Sequence, residues 1–168
     1  LAFNTRAQEM RAQGIDVLNL AAGEPDFPTP EFIKDAAKEA MDQNFTRYTA
    51  VAGIPELRKA AGDYFLRHYA TEVPPESIII GAGGKQCLYS FIQATINPGD
   101  EVLIPSPCWV SYPDMVLLAE GVPVKVAADA TQNFKVTPMM LENATTDKTR
   151  MLILNSPCNK SEERRVSV

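Results

Sequence analysis

Histidine and cysteine are too scarce in this sequence to build most of the sites those residues serve. The one histidine, His68, stands in DYFLRHYA without a second imidazole, which leaves no material for a histidine metal centre or a nucleophile–histidine triad. The three cysteines, Cys87, Cys108 and Cys158, are odd in number, widely spaced and form no CxxC. They read as reduced thiols of a cytoplasmic protein, not as a disulfide framework or a zinc site. Positive charge is also short: 16 Lys and Arg face 21 Asp and Glu, for a net charge of −5. With no basic stripe, a nucleic-acid footprint is not expected. No apolar run approaches the length of a membrane span, so no membrane partner is expected either. No signal-peptide pattern opens the chain, which begins at Leu1.

What is present can support a core, since 45% of the 168 residues are hydrophobic. Residues 1–13 read as a helix that stops at Gly14. IDVLNLAAG follows as a short strand, and the proline-rich GEPDFPTP as loop. Thr29-Pro30-Glu31 has the order of a helix start, with Thr29 as cap and a helix running to about Met41. FTRYTAVAGIP is loop, and PELRKAAGDYFLRHYA is an amphipathic helix. From Ser77 onward the rhythm alternates. SIIIGAG, EVLIPSP, VPVKVAA and RMLILNSP read as strands; GKQCLYSFIQATI, WVSYPDMVLLAEG and TPMMLENAT between them read as helices. That alternation predicts an α/β fold with a parallel sheet, which sends the loops after its strands to one edge, where ligands bind. Three such loops, at residues 81–86, 105–112 and 155–160, carry the distinctive side chains. The last nine residues, KSEERRVSV, lose this pattern.

The loop GAGGK, between an apolar segment and a helical one, has the layout of a phosphate cradle. It is not a Walker A loop, because Ile79 stands where the first glycine belongs and Gln86 follows Lys85 in place of Ser or Thr. It is not a dinucleotide fingerprint, because Gln86 also takes the place of the third glycine. Two readings stay open: a tight turn without a ligand, or a simpler cradle in which the N–H groups of Gly83, Gly84 and Lys85 hold one phosphate at a helix N-terminus. The neighbouring loops favour the second. Trp109, the single tryptophan, follows a strand on the same expected edge and could stack on a flat ring. Asn155 and Asn159 end another strand and could donate to a ring hydroxyl. A phosphate, an aromatic ring and a phenolic oxygen together describe pyridoxal 5′-phosphate.

The motifs AAGEPDFPTP, RYTAVAGIPELRKA, GAGGKQCLYS, NPGDEVLIPSPCWVSYPDMV and LNSPCN, in this order, resemble the class I aminotransferases, pyridoxal-phosphate enzymes of fold type I, and among them the bacterial-type aspartate aminotransferases. The resemblance spans residues 1–159. It implies part of the α/β/α large domain, preceded by an N-terminal helix and strand. Residues 1–30 would go with the small domain or arm, 31–159 with the cofactor-binding large domain, and 160–168 would be an aberrant tail. By the same resemblance Gly83, Gly84 and Lys85 cradle the cofactor phosphate and Trp109 stacks on its ring. Asn159 bonds the ring hydroxyl, and Gly23 lies beside the substrate carboxylate, where Trp109 and Asn159 also contribute. Tyr48 reaches the phosphate of the neighbouring subunit in a homodimer. The substrates would be an amino acid, aspartate by branch, and a 2-oxo acid. No metal ligand is implied.

The family continues past the Asn as P-T-G, where this sequence has Lys160-Ser161-Glu162. The Schiff-base lysine comes later in the family and has no counterpart among these residues, so no catalytic residue is assigned. The expectation is a truncated or frameshifted aminotransferase chain that binds the cofactor weakly or not at all. Two rivals remain: another fold type I enzyme, such as a C–S lyase or aromatic transaminase, and a non-catalytic fragment that docks on an intact subunit through the region of Tyr48. Purified as it stands, the 168-residue chain is expected to give no turnover with aspartate and 2-oxoglutarate in a coupled assay. Measurable turnover would refute that expectation.

Overall fold

Glu101–Ser106 forms the central strand, β1, of a three-stranded parallel sheet in the computed structural model, which describes residues 2–18 and 27–156. β2 (Val122–Ala127) lies on one side of it and β3 (Thr149–Leu152) on the other, in the order β2-β1-β3. The β1–β2 register runs unbroken from Glu101 opposite Val122 to Ser106 opposite Ala127. The β1–β3 register slips by one residue after Glu101, which stands opposite Thr149 while Val102 stands opposite Met151. The parallel sheet expected from the alternating pattern is therefore present, and its strands end on one edge.

β1 is central because its sequence can be buried on both faces. Val102, Leu103 and Ile104 are all buried, as a flanked parallel strand requires. Val102 and Ile104 pack with Ile92 and Ile96 from the region of α4 (Gly84–Thr95), and with Tyr112, Met115 and Val116 of α5 (Ser111–Leu118). Met151 and Ile153, along β3 and just beyond it, pack partly against the same cluster. Side chains alternate along a strand, so Leu152 and Leu154 turn to the opposite face, where both are exposed.

The backbone divides into two compact units between Thr49 and Ala50. The first contains α1 (Ala2–Ala12) and α2 (Glu31–Asp42). α1 closes as expected at Gly14, whose φ of +79° suits the left-handed position, and the Ile15 N–H bonds back to the Met10 carbonyl. At α2 the cap position belongs to Pro30 and not to Thr29, with no side-chain cap bond. Proline's fixed φ, here −51° with an extended ψ, makes it the last non-helical residue, and its carbonyl accepts from Ile33 and Lys34. Of the strand expected in IDVLNLAAG, residues 15–18 have no regular structure and 19–23 lie outside the described residues.

In the second unit, α3 (Pro55–Tyr69) and α4 occupy their expected spans, and α6 (Pro138–Ala144) is capped by the Thr137 hydroxyl. The strand expected in SIIIGAG is the main departure. Ser77 closes a 3-10 turn (Pro75–Ser77), and residues 78–80 carry no ladder. A strand exists by virtue of its neighbour, and the outward backbone bond this segment makes is a single one, from Ile80 N–H to the Ala52 carbonyl at 3.0 Å. Ile79 is accordingly 75% exposed.

Ile104→Ala should destabilise the chain by about 3 kcal/mol in urea unfolding, because it opens a cavity in the sheet's packed face. Leu118→Ala, at an exposed position of α5, should stay within about 0.5 kcal/mol. Equal effects of the two would place the core elsewhere.

Candidate functional site

The C-terminal ends of β1 and β3 open onto a cavity of about 250 Å³. Its lining includes Pro107, Cys108 and Trp109 from the loop after β1, and Leu154, Asn155 and Ser156 from the segment after β3. Trp109 precedes α5 by two residues. Its ring meets that of Tyr112 edge-on at 5.4 Å, and the Tyr112 N–H donates to the Trp109 carbonyl. Tyr112 is buried and Trp109 half-buried against the core cluster, so the indole is held from below by packing while it borders the cavity.

The glycine loop lies beside this ring. Gly83 caps α4 with φ +96°, a conformation in which glycine is at ease and other residues are strained. Its N–H donates to the Gly81 carbonyl at 2.8 Å, and the Gln86 side chain takes the N–H of Ala82. The amides of Gly84 and Lys85, in the first turn of α4, find no acceptor among the described residues, as the opening amides of a helix do without a cap. A Cβ built on Gly83 or Gly84 meets nothing within 4 Å, so no side chain or backbone crowds the loop on that side. Gly81 has the opposite reason for its identity: a Cβ there would stand 2.6 Å from the Cys87 sulfur. The Lys85 ammonium sits 4.8 Å from the centre of the Trp109 ring, a cation–π distance that ties the glycine loop to the cavity wall.

The four remaining sequence-expected positions divide. Asn155 borders the cavity. Tyr48 is fully exposed in the loop after α2, in the first unit. Gly23 and Asn159 lie outside the described residues.

A fourth contribution, absent from the sequence reading, comes from the loop after β2, where Phe134, Lys135 and Val136 line the cavity. Asp129 accepts from both the hydroxyl and the amide of Thr131, at 2.6 and 2.8 Å, and its own amide donates to Gln132. Asn133 and Phe134 then both take positive φ, 51° and 57°. This turns the chain sharply and delivers the next residues to the wall. The signal was there in D-A-T-Q-N: a capping-box spacing followed by a residue that tolerates the left-handed conformation. The hydroxyl of Thr131, then its amide, hold the Asp129 carboxyl below its ordinary value.

A family profile described as aminotransferase class I and II matches residues 15–161. The aspartate/prephenate aminotransferase of Cereibacter sphaeroides is 54% identical over 159 residues, which is 95% of this chain and 40% of that protein. An aspartate aminotransferase from a Bacillus species is 52% identical over 95% of this chain and 41% of its own length. Among solved structures, the Thermus thermophilus aspartate aminotransferase with maleate superposes with a TM-score of 0.91 at 47% identity, over 94% of this chain and 41% of that one. The Rhizobium meliloti aspartate aminotransferase gives 0.88 at 44% identity, over 94% and 40%. The chain thus spans about two fifths of the length of these relatives.

Because its folded-state value is depressed, Asp129 stabilises the loop above the unfolded-state value of 3.8, and this contribution fades as pH falls through the lower folded one. Followed by the NMR shift of its carboxyl carbon, Asp129 should titrate with a midpoint below 3.8. A midpoint at or above that value would mean the Thr131 bonds are not made in solution.

Proposed function

The chain belongs to the aminotransferase class I and II family and carries part of the fold type I α/β architecture of those enzymes, and on that premise we propose that it serves pyridoxal-phosphate-dependent transamination between an amino acid and a 2-oxo acid. The observation that carries the reading is the 4.8 Å approach of Lys85 to Trp109, which joins a pair of unpartnered helix amides to an aromatic wall at the C-terminal edge of a parallel sheet. The residues fit the cofactor on physical grounds. Two open N–H groups at the positive end of a twelve-residue helix suit a phosphate dianion. An indole held by the core and facing a cavity suits a flat ring. When bound, pyridoxal phosphate supplies the electron sink that lets the amino-acid α-proton leave.

The chain's own contributions are to bind and to orient. Gly84 and Lys85 would hold the phosphate by their amides, with Gly83 shaping the turn that presents them. Trp109 would fix the tilt of the ring. Asn159 would donate to the ring hydroxyl, and Gly23, with Trp109 and Asn159, would border the substrate. Tyr48, fully exposed, would reach the phosphate of a second subunit in a homodimer. Aspartate is the amino acid the reading favours, because the similar proteins carry the names aspartate and aspartate/prephenate aminotransferase. A cytoplasmic location is part of the same proposal; among the described residues no helix is long and apolar enough to cross a membrane.

Trp109 is the single tryptophan, so its fluorescence reports on this site alone. Titration with deoxypyridoxine phosphate, which has ring and phosphate but no aldehyde to react with surface lysines, should quench it saturably, with a dissociation constant of about a millimolar. Unphosphorylated deoxypyridoxine should bind at least about tenfold more weakly, the worth of one charge-assisted hydrogen bond. Gly83→Val should remove most of that difference. Equal affinity for the two probes, or no saturable quench, would overturn the assignment.

A further inference from the structure

The segment that leads into the glycine loop takes its position from outside the sheet. Residues 78–80 belong to no ladder, and Ile78 at their start is extended. The strongest hold on them is Arg58, on α3. Its Nε–H is shared between the carbonyls of Pro75, at 2.8 Å, and Ile78, at 2.9 Å. Arg58 forms no ion pair with any described carboxylate. Its charge is directed at two backbone oxygens instead, and hydrogen bonds from a charged donor are about twice as strong as neutral ones. Two glycines let the backbone close up around this clamp. A Cβ at Gly62 would stand 2.7 Å from the Val73 carbonyl, and one at Gly53 would stand 2.7 Å from the Ile80 side chain. Substitution at either would push residues 73–80 away from α3 and the turn before it.

Burial holds helix α4 from its second turn onward, beginning with Leu88, which packs partly against the core cluster. Ile92 lies in its C-terminal half, with Ile96 just beyond, and both are buried in the core. Residues 82–87 are exposed. No buried side chain anchors the first turn itself, so the aim of the Gly84 and Lys85 amides depends also on how the chain arrives from Ile78–Ile80, beside the Lys85–Trp109 contact. We propose that Arg58 is a positioning residue for the phosphate cradle: by gripping the carbonyls of Pro75 and Ile78 it sets the path of the incoming segment and so the direction of the two amides. The ligand in this inference rests on the cofactor reading above; the positioning itself is observable without any ligand.

The full chain should be compared with Arg58→Met and Arg58→Lys in two measurements. The first is NMR amide exchange at Ile78 and Ile80, with Leu103 and Ile104 in β1 as internal references. The second is the Trp109 fluorescence titration with deoxypyridoxine phosphate and with unphosphorylated deoxypyridoxine. In Arg58→Met, exchange at Ile78 and Ile80 should rise about tenfold while β1 is unchanged, and the dissociation constant for the phosphorylated probe should rise about tenfold while that of the other does not move. Arg58→Lys, which keeps the charge and an N–H donor, should fall between the wild type and Met on both readouts, and it carries the test should the Met variant fail to fold. Exchange that rises equally in β1 would reduce Arg58 to a general stabilising residue and overturn the proposal. So would unchanged exchange together with unchanged binding, and in that case the phosphate reading would stand. If the wild type binds neither probe yet Arg58→Met still loosens Ile78 and Ile80 alone, the positioning holds and the phosphate reading falls.

Discussion

The parallel arrangement of β1, β2 and β3 is the constraint on which the site depends. Parallel strands place all their C-terminal ends together, so the loops after all three reach one edge whatever their sequences. The burial of Val102 and Ile104 against α4 and α5 then gives that edge a rigid base. Trp109 illustrates the coupling. Its backbone is carried by the end of β1, its ring is backed by Tyr112 and the core, and its remaining surface faces the cavity.

The glycine loop meets this edge by a different route. It opens a helix that packs on the sheet, yet the segment before it belongs to no ladder and is tied to α3. The glycine loop thus has two supports, the hydrophobic burial of α4 from Leu88 onward and the polar grip on the residues before Gly81. Burial is non-directional and sets where a helix lies; hydrogen bonds are directional and set how its first turn points. A site built from backbone amides needs both, because an amide has no rotamer with which to correct its aim.

Much of this was legible in the sequence because it depended on local patterns. The alternation after Ser77 predicted four strands and the helices between them, of which three strands form the sheet, and Gly14 marked the end of α1. Trp109 and Asn155 line one cavity, and the Lys85 ammonium lies 4.8 Å from the Trp109 ring. What escaped was decided by partners or by geometry at a distance. SIIIGAG has the composition of a strand, but composition supplies no neighbour, and residues 78–80 stay without a ladder. Thr29 has the chemistry of a cap, but the restricted φ of Pro30 put the boundary one residue later. The loop at 129–136 was passed over because its residues are chemically ordinary, and their contribution comes from two successive left-handed residues that turn the chain toward the cavity. Arg58 looked like one more charge on an amphipathic helix; its two carbonyl acceptors lie 17 and 20 residues away.

The distribution of burial also says which part of the chain is mechanically suited to hold a ligand. The face of the sheet that carries Val102 and Ile104 is closed by two helices, whereas Leu152 and Leu154, on the other face along β3, are exposed. Two of the three aromatic residues of the cavity wall come from the closed side: Tyr112 belongs to the core cluster and Trp109 packs against it, while Phe134 comes from the loop after β2. An aromatic platform works by excluding water from one side of a flat ligand, and it does so only if it cannot rotate away when the ligand arrives. Placed on the exposed side, the same indole would have to be ordered at the moment of binding, at a cost of about 1 kcal/mol for an immobilised side chain. Held from behind by Tyr112 and the β1 core, it is already ordered.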